Sequence, residues 1–390
     1  MIDGEAMSIF GKIKQFLPGS SRSLHAMHRD VSAMHDEAHV QLAEIRSDID
    51  RLYRRVEQAD CGINNNLNYK YGCLSSDLDA HDAHMKMFAW ENYRRGGESL
   101  AEAKKRFFSS LPKATGGMRL LQLGNAKLLG EFDALCKEHG LNYWMMFGTL
   151  LGSVRNDGFV PWDDDVDLAM TRDDIYSLIE LLKSDGRYRT TTIYDEYAHC
   201  RQVRFAYVDE SLPCFLDLFF LDWTSYLEGD SSNKIWMLQD EIVALMDADP
   251  ALEFWRTDEH YLPSDDNRAQ VIDRYYQVAF EKARANGLIC DKSQATGLIW
   301  GIDNIRSVQK WQSYPFDSIY PLQSMPFEGG WLSAPADADF FLKSAYGDYF
   351  SLPRDINSHF EHVSHDALEV GFQRRSLEEL VKGGLAGEGR

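Results

Sequence analysis

Apolar residues recur every three or four positions over residues 24–56. The row consists of Leu24, Met27, Val31, Met34, Ala38, Leu42, Ile45, Ile49, Leu52 and Val56. This spacing predicts a long amphipathic helix, in which one extra step of four after Ala38 relaxes a left-handed supercoil. We expect two copies of the helix to pair as a coiled coil, which would make the chain a homodimer. The alternative is an intramolecular hairpin with residues 77–108, and we interpret the intervening GINNNLNYKYG as a loop or turn.

A shorter amphipathic pattern precedes this row. In residues 8–17 (SIFGKIKQFL) the large apolar side chains share one helical face, and Lys12 and Lys14 lie off it. Such a helix could lie on a membrane surface, or it could pack on a neighbouring element as a terminal helix. Pro18 and Gly19 end the pattern.

From Met118 onward the pattern is that of a globular domain with both helices and strands. Apolar residues of 120–135 predict an amphipathic helix that Gly140 caps at its C-terminus. Short apolar or alternating runs predict the strands 143–147, 166–170, 201–208 and 214–221. We expect residues 230–312 to be mainly helical and residues 327–350 to form a compact closing unit.

Composition and charge narrow the class of protein. Of the 390 residues 44% are hydrophobic, so the chain can bury a sizeable core. A net charge of −20 excludes a protein that coats duplex nucleic acid, because neutralising phosphates needs clustered cations. It allows a polyanionic substrate if bound Mg²⁺ supplies the positive charge. The scattered cysteines, the lack of an apolar run long enough to span a membrane and the acidic N-terminus predict a cytoplasmic protein, which the 8–17 helix could place at the membrane face.

The most informative segment is GTLLGSVRNDGFVPWDDDVDL, residues 148–168. Acidic and apolar residues alternate at its end, so Asp165 and Asp167 point to one side of a strand, about 7 Å apart. Asp163 joins them if the strand extends that far back. Clustered carboxylates are costly unless a cation neutralises them, and Mg²⁺ binds carboxylates together with substrate phosphates. A solvated acidic loop is the alternative, but the apolar alternation argues against it.

A second acidic position lies in CFLDLFFL, residues 214–221. Asp217 is a lone charge among apolar residues, and such a charge needs a partner or a metal ion. We therefore predict a catalytic group of three carboxylates on two strands. The group consists of Asp165, Asp167 and Asp217.

These motifs resemble those of the LicD family of phosphocholine and related phosphotransferases, which includes the fukutin-type domains. The family signature reads GTLLGAVR-x-x-GFIPWDDDIDI followed by DIFPLD, and this chain has GTLLGSVRNDGFVPWDDDVDL and DLFFLDW. Phe220 replaces the usual proline. A third match comprises PFEG at 326–329 and YGD at 346–348, so the resemblance spans roughly 118–353 with a gap at 230–312.

The resemblance implies an α+β fold, with a nucleotidyltransferase-like mixed sheet flanked by helices. The apolar spacing adds an N-terminal helical or coiled-coil arm to this domain. The resemblance also implies that Gly148 and Thr149 form a turn whose backbone approaches a phosphate. It further implies that Asp217 takes the proton of the acceptor hydroxyl. The residues implied as ligands of Mg²⁺ or Mn²⁺ are Asp163, Asp165, Asp167 and Asp217.

Further residues expected to bind substrate or phosphate are Asp164, Arg155, Trp162, Arg204, Glu328 and Asp348. Four of them have a structural alternative. Arg155 could pair with Asp163 or Asp164, and Trp162 could belong to the core. Glu328 and Asp348 could stabilise the C-terminal unit.

Three other sets of residues leave alternatives open. Arg201 and Arg204 cannot share one strand face, so at most one of them faces the donor. A cation–π box for choline could draw on Trp144, Trp162 and Trp223. The spacing of His359, His362 and His365 fits one helix face better than a zinc site, because no cysteine or carboxylate pattern completes a ligand set.

The resemblance predicts a Mg²⁺-dependent transferase that moves a phospho-alcohol, phosphocholine foremost, from a CDP-alcohol to a hydroxyl of a cell-surface glycan or lipid-linked precursor. The alternatives are phosphoribitol or phosphoglycerol transfer, an NMP-transferring nucleotidyltransferase and an inactive coiled-coil scaffold for polysaccharide assembly. We expect no nucleic-acid partner. The predicted divisions are 1–20, 21–115, a catalytic domain at 116–353 with a helical insertion at 230–312, and a tail at 354–390.

Overall fold

The computed structural model describes residues 21–197, 199–225, 230–257, 259–304, 313–351 and 371–385, with the single positions 363 and 368. The predicted helix at 8–17 and the three histidines His359, His362 and His365 lie outside the described residues. By its internal contacts the chain divides into two compact units, one ending at Tyr93 and the other beginning at Arg94.

The helices and strands follow one another along the second unit after one long N-terminal helix. The helices are α1 (Ser21–Tyr93), α2 (Leu100–Ser109), α3 (Gly116–His139), α4 (Phe147–Asn156), α5 (Arg172–Leu182), α6 (Asp230–Ala248), α7 (Glu253–Thr257), α8 (Ala269–Ala285), α9 (Phe316–Ile319), α10 (Ala338–Tyr346) and α11 (Phe372–Leu385). The strands are β1 (Tyr143–Met145), β2 (Asp167–Thr171), β3 (Tyr188–Asp195), β4 (Cys200–Tyr207), β5 (Phe215–Thr224), β6 (Tyr261–Pro263), β7 (Gly297–Trp300), β8 (Ser313–Pro315), β9 (Gln323–Phe327) and β10 (Gly330–Ala334).

The long helix predicted from the apolar row is confirmed as α1, but the predicted turn at GINNNLNYKYG is wrong. The helix runs through this segment without a break, which also rules out the hairpin alternative. It contains no proline, so no backbone N–H is missing from its hydrogen-bond ladder, and a glycine costs only about 1 kcal/mol relative to alanine. Its apolar row is more than half exposed at Leu42, Ile45 and Ile49. No helix within the described ranges is both long and apolar enough to cross a bilayer.

A mixed sheet forms the centre of the second unit and confirms the expected α+β class. Its strand order is β1-β2-β5-β4-β3-β6, and β7 pairs with the C-terminal half of β5 and with β8. The pairing of β2 with β5 is parallel, and the other pairings in the sheet are antiparallel. The predicted strands correspond to β1, β2, β4 and β5.

The expectation that residues 230–312 are mainly helical is only partly right. Helices α6, α7 and α8 occupy much of this segment, but strands β6 and β7 within it pair with β3 and β5. These strands have only three and four residues. Alternation cannot be recognised over so short a run, because tertiary pairing rather than local pattern defines such strands.

Two buried clusters pack against the sheet. In the first, the ring of Phe132 on α3 lies 5.0 Å from that of Phe205 on β4, and Leu377 of α11 is also buried in it. In the second, α6 and α8 bury side chains such as Ile242 and Tyr276. Because Phe205 faces α3, its neighbour Arg204 on β4 points to the opposite face of the sheet.

A buried network of charges also lies outside the acidic segment. Arg172 of α5 donates from Nε to Oδ1 of Asp222 at 2.6 Å, and its guanidinium also contacts Asp303. Arg201 of β4 donates to the same Asp303 at 2.5 Å and to Asp273 at 2.7 Å. The network therefore ties the second helical cluster to the sheet.

Candidate active site

Two neighbouring strands bring the predicted carboxylates together. Strand β2 begins at Asp167 and lies parallel to β5, and the register places Asp167 directly beside Asp217. Paired residues on adjacent strands project to the same face of a sheet. Asp165 lies two residues before Asp167, in the loop that enters β2. The two sequence motifs predicted to form one site therefore meet at the N-terminal end of β2.

Gly148 and Thr149 position Asp167. They lie in the first turn of α4, so they open a helix rather than forming a separate turn. The backbone N–H of Gly148 donates to the Asp167 carboxylate, and the Asp167 N–H donates to Oγ1 of Thr149 at 2.8 Å. A Cβ at position 148 would lie 2.5 Å from Oδ2 of Asp163, so any larger residue would displace the Asp163 carboxylate. Their contact with a phosphate stays a prediction.

The carboxylates lie close enough to perturb one another. Burial raises the pKa of Asp167 well above its ordinary value, and the charges of Asp165, Asp163 and Asp217 raise it further, while the hydrogen bond from Gly148 opposes the shift. The protonated form of Asp167 is therefore favoured unless a cation neutralises the group. This is the electrostatic setting in which a metal ion or a cationic substrate would bind.

The donor set suits a hard divalent cation, because it consists of oxygen atoms alone. Within the described residues, no three His, Cys, Asp or Glu side chains are gathered closely enough to enclose an ion as they stand. Each carboxylate oxygen can accept more than one ligand, so the hydrogen bonds to Asp167 do not prevent it from binding a metal. The donor chemistry of Asp163, Asp165 and Asp167 thus suits Mg²⁺, and the binding of an ion by these residues stays a prediction.

Arg204 of β4 is the basic residue at this cluster. It pairs in register with Asp217 and donates to both of its carboxylate oxygens, from Nε at 2.9 Å and from Nη2 at 3.0 Å. Its guanidinium also lies 3.7 Å from the centre of the Phe215 ring. Arg201 faces the other side of the sheet in the buried charge network, as alternation requires.

Comparison with known proteins adds to this geometry. Residues 140–244 match the family described as LicD/FKTN/FKRP, nucleotidyltransferase domain. The segment similar to this family is therefore residues 140–244, and the rest of the chain lies outside the match. The matched residues contain the acidic loop, β2 and β5, and therefore the whole carboxylate cluster.

Two curated relatives illustrate the extent of the similarity. The chain is 31% identical over 117 residues to the lipopolysaccharide cholinephosphotransferase LicD of Haemophilus influenzae, covering 27% of this chain and 44% of that protein. It is 31% identical over 77 residues to an uncharacterized protein of Rickettsia prowazekii, covering 20% of this chain and 29% of that protein. The chain thus spans less than half the length of these relatives.

Two buried amides that the sequence prediction missed hold the acidic loop. Gln122 Nε2 donates to the carbonyl oxygen of Asp163 at 2.9 Å, and Asn125 Nδ2 donates to that of Asp164 at 3.0 Å. Oδ1 of Asn125 also accepts the N–H of Phe215 at 3.1 Å, which links the loop to β5. The available signal was the presence of two amides on the otherwise apolar stripe of α3.

Arg155 is buried, and its described contacts do not include Asp163 or Asp164, with which it could have formed an ion pair. Its Nη2 donates to the carbonyl of Ser351 at 3.0 Å, and its guanidinium lies 4.2 Å from the centre of the Phe108 ring. Among the described residues its Nε has no hydrogen-bond partner. Burial lowers the pKa of Arg155 to about 10, so the group stays charged at neutral pH. The hydrogen bond described for this side chain therefore does not support the alternative of an ion pair with either aspartate.

Glu328 stabilises the loop that follows α4. Its oxygens accept two hydrogen bonds from Arg119, at 2.9 and 2.6 Å, and one from Lys113 at 3.0 Å. They also accept the N–H of Phe159, and a Cβ at Gly158 would lie 2.5 Å from Oε1. Burial alone would raise the pKa of Glu328, but the hydrogen bonds from Arg119 and Lys113 lower it to about 2. These contacts support the structural alternative for this residue.

The remaining predicted residues lie around the cluster or away from it. Asp164 is buried, and its Oδ2 accepts the N–H of Val363 at 3.3 Å. Asp348 is exposed and pairs with Lys104 at 2.5 Å. Trp162 is partly buried and packs on the first core cluster, as the core alternative predicted.

The tryptophans do not form the cation–π box that the sequence suggested. Trp144 is fully buried in the core, whereas Trp223 donates from Nε1 to Asp173 at 3.1 Å and faces Lys292. Tyr346 of α10, to which the sequence analysis gave no role, does lie near the cluster. Burial raises its pKa, and the charge of Asp167 raises it further.

Proposed function

We propose that the chain is a phosphotransferase that moves a phospho-alcohol from a CDP-alcohol donor to a hydroxyl of a cell-surface glycan or lipid-linked precursor. Phosphocholine is the phospho-alcohol we expect first. The observation that carries the proposal is the in-register placement of Asp167 beside Asp217 on two parallel strands, with Asp163 and Asp165 in the adjoining loop.

The carboxylates divide the chemistry between them. Asp163, Asp165 and Asp167 would hold Mg²⁺, which when bound would neutralise charge on the donor diphosphate. Asp217 would take the proton of the acceptor hydroxyl as the hydroxyl oxygen attacks the phosphorus atom that carries the alcohol. The bond between this phosphorus and the oxygen of CMP breaks, and CMP leaves. Arg204 would hold the Asp217 carboxylate in a fixed orientation through its two hydrogen bonds.

The choice of phosphocholine draws on the similarity, over 117 residues, to the lipopolysaccharide cholinephosphotransferase of Haemophilus influenzae. A net charge of −20 makes an unassisted polyanionic donor unfavourable, which supports a requirement for a divalent cation. The same reasoning extends to Mn²⁺, because its ligand preferences resemble those of Mg²⁺.

The test is to identify the product released from a panel of donors. The full-length protein is incubated with CDP-choline, CDP-glycerol, CDP-ribitol or CTP in the presence of Mg²⁺, and the products are resolved by phosphorus NMR. We expect CMP from CDP-choline, dependent on added Mg²⁺ and on an acceptor glycan. CMP from CDP-glycerol or CDP-ribitol alone would identify a different alcohol. Pyrophosphate from CTP would identify a nucleotidyltransferase, and no binding of Mg²⁺ or CDP by calorimetry would favour an inactive scaffold.

A further inference from the structure

Three aromatic rings lie together at the edge of the sheet, and we call them the aromatic corner: Tyr197, His260 and Tyr261. The ring of Tyr197 lies 4.4 Å from that of His260 and 6.2 Å from that of Tyr261, measured between centroids. The planes of the two tyrosine rings are inclined by 56°. Tyr197 is 63% exposed and Tyr261 is 42% exposed, whereas His260 is partly buried.

The strand register places Tyr261 of the aromatic corner on the same face of the sheet as the carboxylate cluster. Tyr261 of β6 pairs with Asp195 of β3, and Asp195 pairs with Cys200 of β4. Cys200 and Arg204 lie four residues apart on β4 and so project to the same face, which is also the face of Asp217. A ligand on this face can therefore contact the corner and the carboxylates without crossing the sheet.

Electrostatic interactions link the two places. Burial and the charge of Asp195 raise the pKa of Tyr261 to about 12, and Arg204 opposes this shift. The charge of Asp217 also acts on the Tyr261 hydroxyl, which agrees with the placement of both residues on one face of the sheet. We expect a donor bound beside Asp217 to extend along this face toward the corner.

Acidic side chains surround the aromatic corner. Oε2 of Glu196 lies 3.2 Å from Nδ1 of His260, and Oδ1 of Asp195 accepts the N–H of Tyr197 at 2.8 Å. A ligand here meets the negative faces of aromatic rings together with carboxylates. A quaternary ammonium group is suited to such a surface, because it is cationic and has no N–H to satisfy by hydrogen bonding. A neutral polyol could donate hydrogen bonds to these carboxylates, but it carries no positive charge for the ring faces to attract.

We propose that the aromatic corner binds the quaternary ammonium group of the phospho-alcohol donor and selects choline over uncharged alcohols. The inference rests on the proposed function, since the corner has this use only if a CDP-alcohol binds beside Asp217. It replaces the buried tryptophans as the source of the cation–π contacts. Tyr197 and Tyr261 supply ring faces, and Glu196 supplies the compensating negative charge.

Two readouts on the full-length protein test the proposal. The first is equilibrium dialysis with labelled choline, which requires no turnover. The second is the KM for CDP-choline and for CDP-glycerol. The variants are Tyr197→Leu, Tyr261→Leu and Glu196→Gln, with Tyr197→Phe and Tyr261→Phe as controls that keep the ring. We expect the leucine variants to lose choline binding and to raise the KM for CDP-choline by ~10-fold, with the KM for CDP-glycerol unchanged and the phenylalanine variants near wild type.

The outcomes separate this inference from the proposed function. If the wild type binds choline and the leucine variants do not, the corner is supported, whether or not CMP is released. If no CMP is released from any donor, the proposed reaction is wrong, but the corner is not. Absence of choline binding by the wild type overturns the corner. If the leucine variants raise the KM for both donors equally, the rings serve folding and the proposal is wrong. The proposal is also wrong if both leucine variants keep the wild-type ratio of the KM for CDP-choline to that for CDP-glycerol.

Discussion

At the scale of single residues, Asp167 is a position where function and stability have opposite requirements. Its carboxylate lies beside Asp217 and close to Asp163 and Asp165, and burial together with these charges raises its pKa. A carboxyl whose pKa is higher in the folded than in the unfolded chain stabilises the fold at low pH and loses that contribution as the pH rises through the folded-state value. At neutral pH without a cation, Asp167 therefore weakens the fold that it serves.

We predict that Asp167→Asn stabilises the protein in EDTA at pH 7.5 while it removes transferase activity. The amide oxygen can still accept the N–H of Gly148, but the repulsion from neighbouring carboxylates is gone. Thermal unfolding should show a melting temperature ~2–4 °C above wild type, which corresponds to about 1 kcal/mol in a domain of this size. Asp240→Asn, at an exposed carboxylate of α6, is the matched control and should change nothing. A lower melting temperature for Asp167→Asn would show that the carboxylate charge is already compensated.

Glu328 makes the opposite prediction, because its pKa is lowered in the fold. Its stabilising contribution is present above the ordinary value of 4.5 and is lost as the pH falls from there toward about 2. Glu328→Gln should reduce the free energy of unfolding at pH 7 by about 3 kcal/mol, since Arg119 would keep a buried charge without its partner. Asp348→Asn removes only an exposed pair and should cost less than about 1 kcal/mol. Urea titrations at pH 7 and pH 4 measure the free energy of unfolding of both variants. An equal loss of stability in Glu328→Gln and Asp348→Asn at pH 7 would refute the structural role assigned to Glu328.

The sequence predicted the proximity of the carboxylates better than it predicted the residues that hold them. Alternation after a run of aspartates placed Asp165 and Asp167 beside each other, and the lone charge in β5 identified Asp217. The supporting amides Gln122 and Asn125 were missed because their role depends on the approach of α3 to the acidic loop. Local spacing carries no information about such long-range contacts.

At the scale of elements, α1 shows what local pattern can and cannot establish. Its apolar period correctly predicted a helix, but the asparagine and glycine residues of GINNNLNYKYG were overvalued as breakers. Strands β6 and β7 were missed for the converse reason, because pairing with β3 and β5 defines them more than their own sequences do. The missed β6 also carries Tyr261 of the aromatic corner.

We propose that the apolar row of α1 pairs with the same row of a second copy. Ile45 and Ile49 are each more than half exposed in the single chain, and burying such side chains would stabilise a dimer. The double variant Ile45→Glu with Ile49→Glu should therefore be a monomer by light scattering, whereas Ser47→Glu, off the row, should remain a dimer. The rate of CMP release should be the same for both, because α1 ends before the second unit begins. A monomeric wild type would contradict the coiled coil.

At the scale of the whole molecule, part of the net charge of −20 is concentrated in one region. Five of the carboxylates lie in the acidic loop, in β2 or in β5: Asp163, Asp164, Asp165, Asp167 and Asp217. Arg204 offsets one of these charges, and Arg155 lies at the far end of α4 against Phe108. This region is left with a local excess of negative charge, which is why we propose that an anionic donor binds together with a divalent cation.

The most direct test of the central claim is the rate of CMP release from CDP-choline at saturating Mg²⁺ by the wild type, Asp165→Asn, Asp167→Asn and Asp217→Asn. Asp240→Asn serves as the control for loss of a carboxylate elsewhere in the same unit. Melting curves recorded in parallel show that each variant is folded. We predict a rate of CMP release at least ~10³-fold lower for the three cluster variants and a wild-type rate for Asp240→Asn, because residues that act as one catalytic unit cannot replace one another. Undiminished CMP release by folded Asp165→Asn and Asp167→Asn would contradict the assignment of this region as the active site.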